Sequence, residues 1–245
     1  MLTGSADLDR LAARAPTMQR FDAAPVVLHN ATVLQAHFEM RYASRLTLLP
    51  PALHPTSPPT MVVQVWSCSE GPWGRFAMAQ VRVGCRTGVR QRGFVVHAIT
   101  DSQEAQAHLA ADWGFPVQLG HVILKRHYDD ITVDVEIGGR VAMAVRAVDP
   151  DPLGVGDVQY MVTMTLAHTP RGLRLVQVEP EYTTHRAERL RPELLQFDAA
   201  VWQEPQLTPY FPVSASVALS DITIPALRYV ARPDVHAFEG TEAAR

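Results

Sequence analysis

The sequence predicts a β-rich α+β domain with few helices, and three observations carry that expectation. Runs rich in Val, Phe and alternating apolar residues dominate from Pro25 onward. Clear helical spacing is confined to residues 6–14 and 102–113. Strands therefore outnumber helices in one continuous stretch, which points to a curved or closed, barrel-like sheet.

The elements follow in order. Residues 6–14 space their apolar side chains as a short amphipathic helix that Pro16 ends, giving an N-terminal helical arm (1–20) ahead of the main domain (21–245). The arm is expected to pack on the body or on a neighbouring subunit. Strands are expected at 25–28, 31–41, 61–68, 76–83 and 93–100, with a Pro-rich crossover at 48–59 whose prolines forbid regular pairing. Residues 102–113 read as a helix with Asp101 or Ser102 as N-cap, delivering the chain to the turn Trp113-Gly114-Phe115-Pro116. Segments 131–135 and 141–145 flank a hairpin signature in which Gly138 or Gly139 supplies positive φ. Further strands are expected at 158–167, 173–178 and 182–189. A short turn or helix follows at 192–196, and the last apolar runs are 214–218 and 221–230.

Composition excludes several function classes. At 245 residues, 47% hydrophobic and 19% charged, the chain can bury one sizeable core. A net charge of −3, with basic residues scattered along the chain, leaves no electrostatic footprint for nucleic acid. No apolar run is long enough to cross a membrane as a helix. Cys68 and Cys85 lack metal-type spacing and no secretory signal is present, so reduced thiols in a cytoplasmic protein are expected. Lys125 is the only lysine, and hence the only side chain able to form a Schiff base.

A series of short motifs runs in order from about Asn30 to Val230: Leu49-Pro50-Pro51-Ala52-Leu53; Gly74-Arg75-Phe76; Gly93-Phe94 running to Asp101; Phe115-Pro116 with Leu119-Gly120; Val141 to Val145; and Asp221-Ile222-Thr223-Ile224-Pro225. In this order and spacing the chain resembles the acetoacetate decarboxylases. The resemblance implies a β-barrel-like α+β fold, a buried pocket near the Phe115-Pro116 loop, and symmetric homo-oligomers. It also implies a lysine that forms an imine with a ketone substrate, activated by a neighbouring cation.

Position by position, the resemblance puts Val117 in place of the imine-forming lysine and Gln118 in place of its cationic neighbour. It likewise puts Ala31 where an arginine is expected, and Met78 and Gln64 where acids are expected. The pocket is thus expected to be neutral and apolar. His97, on a strand that lines the pocket in the resembling family, is the candidate acid or base, and Gln118 and Gln64 are candidates to polarise an oxygen. Val117, Phe115, Met78, Ala31, Trp113 and Phe76 are the expected cavity-shaping, substrate-binding residues.

The sequence thus predicts a non-decarboxylating enzyme acting on a β-dicarbonyl or polyketide-like small molecule by cyclisation, dehydration or a related proton-transfer step, with no cofactor and no metal. The alternative is a non-catalytic protein that holds a hydrophobic small molecule in the same cavity. Lys125, roughly 26 Å beyond Val117 along a straight strand, is placed too far away to substitute for the lost amine. His121 and His127, with Asp129 and Asp130, are spaced too widely along one strand to share an ion. Glu179, Glu181, His185 and Glu188 read as a solvated strand edge.

Overall fold

The computed structural model describes residues 2–244. A short helix α1 (Leu8–Ala12) precedes the long strand β1 (Val26–Met40); α2 (Ser44–Thr47) and the two-residue β2 (His54–Pro55) lie in the Pro-rich crossover. Strands β3 (Thr60–Cys68), β4 (Phe76–Thr87) and β5 (Arg90–Thr100) follow, then α3 (Gln103–Trp113). Next come β6 (Val117–Leu119), β7 (His121–Arg126), β8 (Asp130–Ile137) and β9 (Arg140–Leu153). The chain ends with β10 (Val162–Thr169), β11 (Gly172–Val178), β12 (Glu181–Phe197), β13 (Pro209–Ile224), β14 (Tyr229–Ala231), α4 (Ala237–Gly240) and β15 (Thr241–Ala243).

All strands join one sheet of order β15-β14-β11-β10-β5-β4-β3-β1-β13-β12-β9-β8-β7, with β2 on β4 and β6 on β5. Among the described strands, only the β5–β10 and β5–β6 pairs are parallel. The expected β-rich architecture is present, but closure into a barrel-like sheet is not supported. The order ends in two free edges, β15 and β7, and β7 packs back over β4 and β5 without a ladder. Strong bending comes instead from register shifts in β1, β4–β5, β8–β9 and β12, each of which increases local twist.

Those shifts also explain two differences from the sequence reading. The strands expected at 25–28 and 31–41 are one strand, interrupted by a bulge at Asn30 with φ 50°. The turn expected at 192–196 is strand: Pro192 pairs with Ala147 beside a register shift, a position where a missing N–H is tolerated. The hairpin at Gly138 and Gly139 forms as expected, both glycines at positive φ.

Alternation divides the apolar side chains between the two faces of the sheet. Leu34, Ala36, Val63, Val65, Ala79, Val81 and Val217 form the core on one face. Ala31, Val33, Trp66, Met78 and Ala98 form the second on the other, beneath Leu109 and Trp113 of α3 and Val176 of β11. The arm packs on its own chain: Gly4, Ser5 and Ala6 donate backbone hydrogen bonds to Leu53, Leu46 and Leu49 of the crossover. Buried Glu204 accepts from both Arg10 and Arg14.

Candidate active site

The register aligns a single row of side chains across the second face. Arg189 of β12 pairs with Ser216 of β13, Ser216 with Gln35 of β1, and Gln35 with Gln64 of β3. Gln64 then pairs with Gln80 of β4, Gln80 with Ala98 of β5, and Ala98 with Val117 of β6. At about 4.8 Å per strand, Gln35 and Val117 lie roughly 19 Å apart along this row. Three glutamines in the middle of a buried sheet face are unusual, since each amide brings donors and acceptors that burial leaves costly unless they are met.

Arg82, two residues beyond Gln80 on the same face, meets part of that demand. Its Nε donates to Gln80 Oε1 at 3.0 Å and Nη1 to the Met161 carbonyl at 3.2 Å. Nη2 donates to Gln64 Oε1, which also accepts from Gln80 Nε2 and Trp66 Nε1, both at 3.1 Å. Gly93 gives the side chain its space: a Cβ there would lie 3.0 Å from Arg82 Cδ.

The Arg82 side chain is 1% exposed, and all its acceptors are neutral. Burial presses its pKa down from the usual guanidinium value, and the adjacent Tyr182 phenol opposes this. An uncompensated buried charge costs on the order of several kcal/mol. The sequence reading of neutral substituted positions did not include Arg82, which adds a buried cation beside Gln64 and Gln80 on this face.

A cleft of about 470 Å³ opens at the β1–β13 end of the row, lined by Gln35, His37, Tyr160, Met161, Arg189 and Ser216, among others. The segment 159–161 separates it from Arg82. Gln35 Nε2 donates to the Gln159 carbonyl at 2.8 Å, and Tyr160 stacks on Tyr182 with centroids 3.9 Å apart. His37 is half-buried in the cleft wall, its pKa lowered first by burial and then by the Arg82 charge, so its imidazole is neutral at pH 7.

The structure distributes the expected catalytic residues over both faces. His97 and Gln118 do meet, in an open groove of about 370 Å³ that Arg14, Pro116, Val117 and Gln203 also line. His97 Nδ1 donates to the Ala98 carbonyl at 3.0 Å, its ring meets Trp202 edge to face, and Gln203 Nε2 donates to Gln118 Oε1 at 2.9 Å. Burial lowers the His97 pKa; the Ala98 carbonyl opposes this and the Arg14 charge adds to it.

Gln64 is not with them. Alternation along β5 puts Ala98 on the Gln64 row and turns His97, which pairs with Val81, to the Val81 side of the sheet, away from Gln64. Ala31, Phe76, Met78, Trp113 and Phe115 lie in one cluster with Val117 packed against it, and the first five are core, each 2% exposed or less. Lys125 is exposed on β7, which Gly120 separates from β6, so the two strands are not the single straight one expected.

Gln35, His37, Gln80, Arg82, Tyr160 and Tyr182 were missed in the sequence. A period-2 signal was present for two of them, because Gln80 and Arg82 continue the face that begins Phe76, Met78. Both cysteines are free and buried, their thiol pKa values pushed up to about 12 by burial. No helix is long and apolar enough to cross a membrane, and among the described residues no group of three or more His, Cys, Asp or Glu side chains is placed to hold a metal.

The family model for acetoacetate decarboxylase (ADC) matches residues 12–232. The chain belongs to the acetoacetate decarboxylase family. A search of curated proteins finds no match. Among solved structures, an acetoacetate decarboxylase from Legionella pneumophila superposes with TM-score 0.73 at 18% identity, over 91% of this chain and 94% of that one. The enduracididine biosynthesis enzyme MppR complexed with pyruvate gives 0.69 at 15%, over 84% and 90%. An ADC-like enzyme from Sphingomonas wittichii RW1 gives 0.66 at 14%, over 84% and 92%. At these identities the likeness establishes the shared fold.

Proposed function

We propose that this member of the ADC family is an enzyme that works without an imine, on a β-dicarbonyl or polyketide-like small molecule, by proton transfer leading to cyclisation, dehydration or a related step. The observation that carries this reading is the placement of amines: the only lysine, Lys125, is exposed on β7, while Val117 ends the buried row. An electron sink is then supplied by hydrogen-bond donors and charge. His37 takes a proton from the carbon between two carbonyls in the cleft, where Gln35 and Arg189 supply donors to the oxygen on which negative charge develops, and Arg82, behind segment 159–161, adds positive charge through that wall. The step needs no cofactor.

A second reading is favoured by the meeting of His97 and Gln118, which puts a neutral imidazole and an amide donor in one groove with Arg14. In it His97 is the acid or base and Gln118 polarises the substrate oxygen. In either case the protein is proposed to act as a homo-oligomer, for which the exposed Leu195, Tyr210, Phe211 and Val213 offer apolar surface.

The test is deuterium exchange into the α-carbon of methyl acetoacetate in D₂O, followed by NMR, beside a parallel incubation with sodium borohydride. Exchange above the buffer rate without a reduced protein adduct is expected, falling roughly 100-fold in His37→Ala. A loss in His97→Ala alone moves the chemistry to the groove. Exchange at the buffer rate in the wild type favours a non-catalytic binding protein, and a reduced adduct on Lys125 overturns the imine-free reading.

A further inference from the structure

We infer that the protein carries a second small-molecule site, for an anion borne on an apolar chain, in the cavity between α2, β2, the β4–β5 turn and α4. The cavity measures about 540 Å³, within the size range of small-molecule sites. It lies away from the row read above as the substrate site: Arg86, on its wall, is six residues beyond Gln80 on β4, roughly 20 Å along the strand. Neither the His37 cleft nor the His97 groove shares a lining residue with it.

Charge selects the head of the ligand. Arg45 and Arg86 both line the cavity, and among the described residues no carboxylate does. Arg45 is held in place, its guanidinium 3.9 Å over the Tyr42 ring and its Nη1 donating to the Thr56 carbonyl at 3.3 Å. Arg86 stands directly across from His54 in the β2–β4 pair. The acids that flank α4 are engaged elsewhere, Asp234 by Arg232 and Glu242 by Arg171 and Arg174. Two cations sharing an acid-free cavity repel one another, and an anionic head relieves that repulsion.

The histidines build the wall. His54 Nδ1 donates to the Leu2 carbonyl at 3.0 Å, and His236 Nδ1 accepts from the Phe238 N–H at 3.3 Å, so His236 Nε2 donates to His54 Nε2 at 2.9 Å. This chain engages every ring nitrogen and ties α4 to β2, which leaves the arginines to meet the ligand. Apolar side chains select its body: Leu2, Pro55, Val89 and Phe238 complete the lining, and Val89 and Phe238 are 95% and 81% exposed. Gly88 lets the two lips meet, since a Cβ there would lie 3.3 Å from Phe238 Cζ. An apolar chain seated between them covers surface otherwise left to water.

Calorimetric titration with octanoate, octyl phosphate, octanol, acetate and inorganic phosphate tests the site. At least one octyl anion is expected to bind about tenfold or more tightly than octanol and than its own bare head group. Whichever octyl anion binds more tightly identifies the head as carboxylate or phosphate. Arg45→Gln and Arg86→Gln should each weaken that anion about fivefold or more and leave octanol unchanged, whereas Phe238→Ser should weaken anion and octanol alike. Arg86 and Phe238 are exposed, so their variants keep the fold and decide the matter if Arg45→Gln does not fold. No binding of either octyl anion, equal binding of octanol or of the bare head group, or full affinity in Arg86→Gln or Phe238→Ser overturns the proposal.

Discussion

Gly114 illustrates how much one residue constrains the region that carries the family resemblance. It caps α3 at φ 66°, and a Cβ there would lie 2.9 Å from Ala167 Cβ and 3.0 Å from Met18 Sδ. Gly114→Ala is expected to destabilise by about 1–2 kcal/mol from backbone strain alone, with the steric term added, measurable by urea unfolding. The titratable residues give a second prediction at this scale. His97 and His37 have pKa values below the usual imidazole value, burial being the largest cause in each. An unfolded histidine protonates near pH 6.5, so below that pH the unfolded chain binds more protons than the folded one. Stability should therefore fall as pH drops from about 6.5 toward the folded pKa values, and His97→Gln should flatten the slope of melting temperature against pH. An unchanged slope would show that His97 does not contribute. The sequence grouped His97, Gln118 and Gln64 as one catalytic set, but alternation, with Ala98 and Val117 on the Gln64 row, turns His97 and Gln118 to the opposite face.

At the scale of elements, the motifs that made the family legible are chiefly those that fasten elements together. Asp101 holds β4 by accepting from the Ala77 N–H at 2.7 Å, and Asp221 accepts from the Asn30 N–H at 2.9 Å, fixing the bulge in β1. Trp113 Nε1 donates to the Pro225 carbonyl at 2.9 Å, so the end of α3 is tied to the end of β13. The helix start was also legible: Ser102 caps α3 by accepting from the Ala105 N–H. Ser102→Ala should cost about 1 kcal/mol, detectable as a lower urea midpoint with an unchanged slope. What stayed hidden was continuity. Bulges let β1 and β12 run through positions where local patterning shows a break, because pairing with long neighbours on both sides outweighs local propensity. Arg82 was hidden for a related reason. Alternation puts it on the Met78 face, but only the three-dimensional packing shows that this end of β4 is covered by 159–161 and Tyr182.

Across the whole molecule, the sheet bends without closing, and the arm and the Pro-rich crossover complete the first core. Glu204, buried behind the arm, joins these parts through Arg10 and Arg14. Removing both arginines leaves an unpaired carboxylate with its side chain 1% exposed, whereas removing the acid leaves two arginines that retain access to water. The double variant Arg10→Ala/Arg14→Ala should therefore lose about 3–5 kcal/mol, and Glu204→Gln distinctly less. The order of these two losses, measured by chemical denaturation, tests whether the arm is an integral part of the domain.

The central claim is that the buried row supplies charge and hydrogen bonds in place of an imine. It is tested most directly by the rate of deuterium entry into methyl acetoacetate in the wild type and in Arg82→Gln, with borohydride present in a parallel sample. Exchange above the buffer rate that is lost in Arg82→Gln, with no reduced adduct on the protein, is the predicted result. Exchange that survives in Arg82→Gln, or a borohydride-fixed adduct on Lys125, would contradict it.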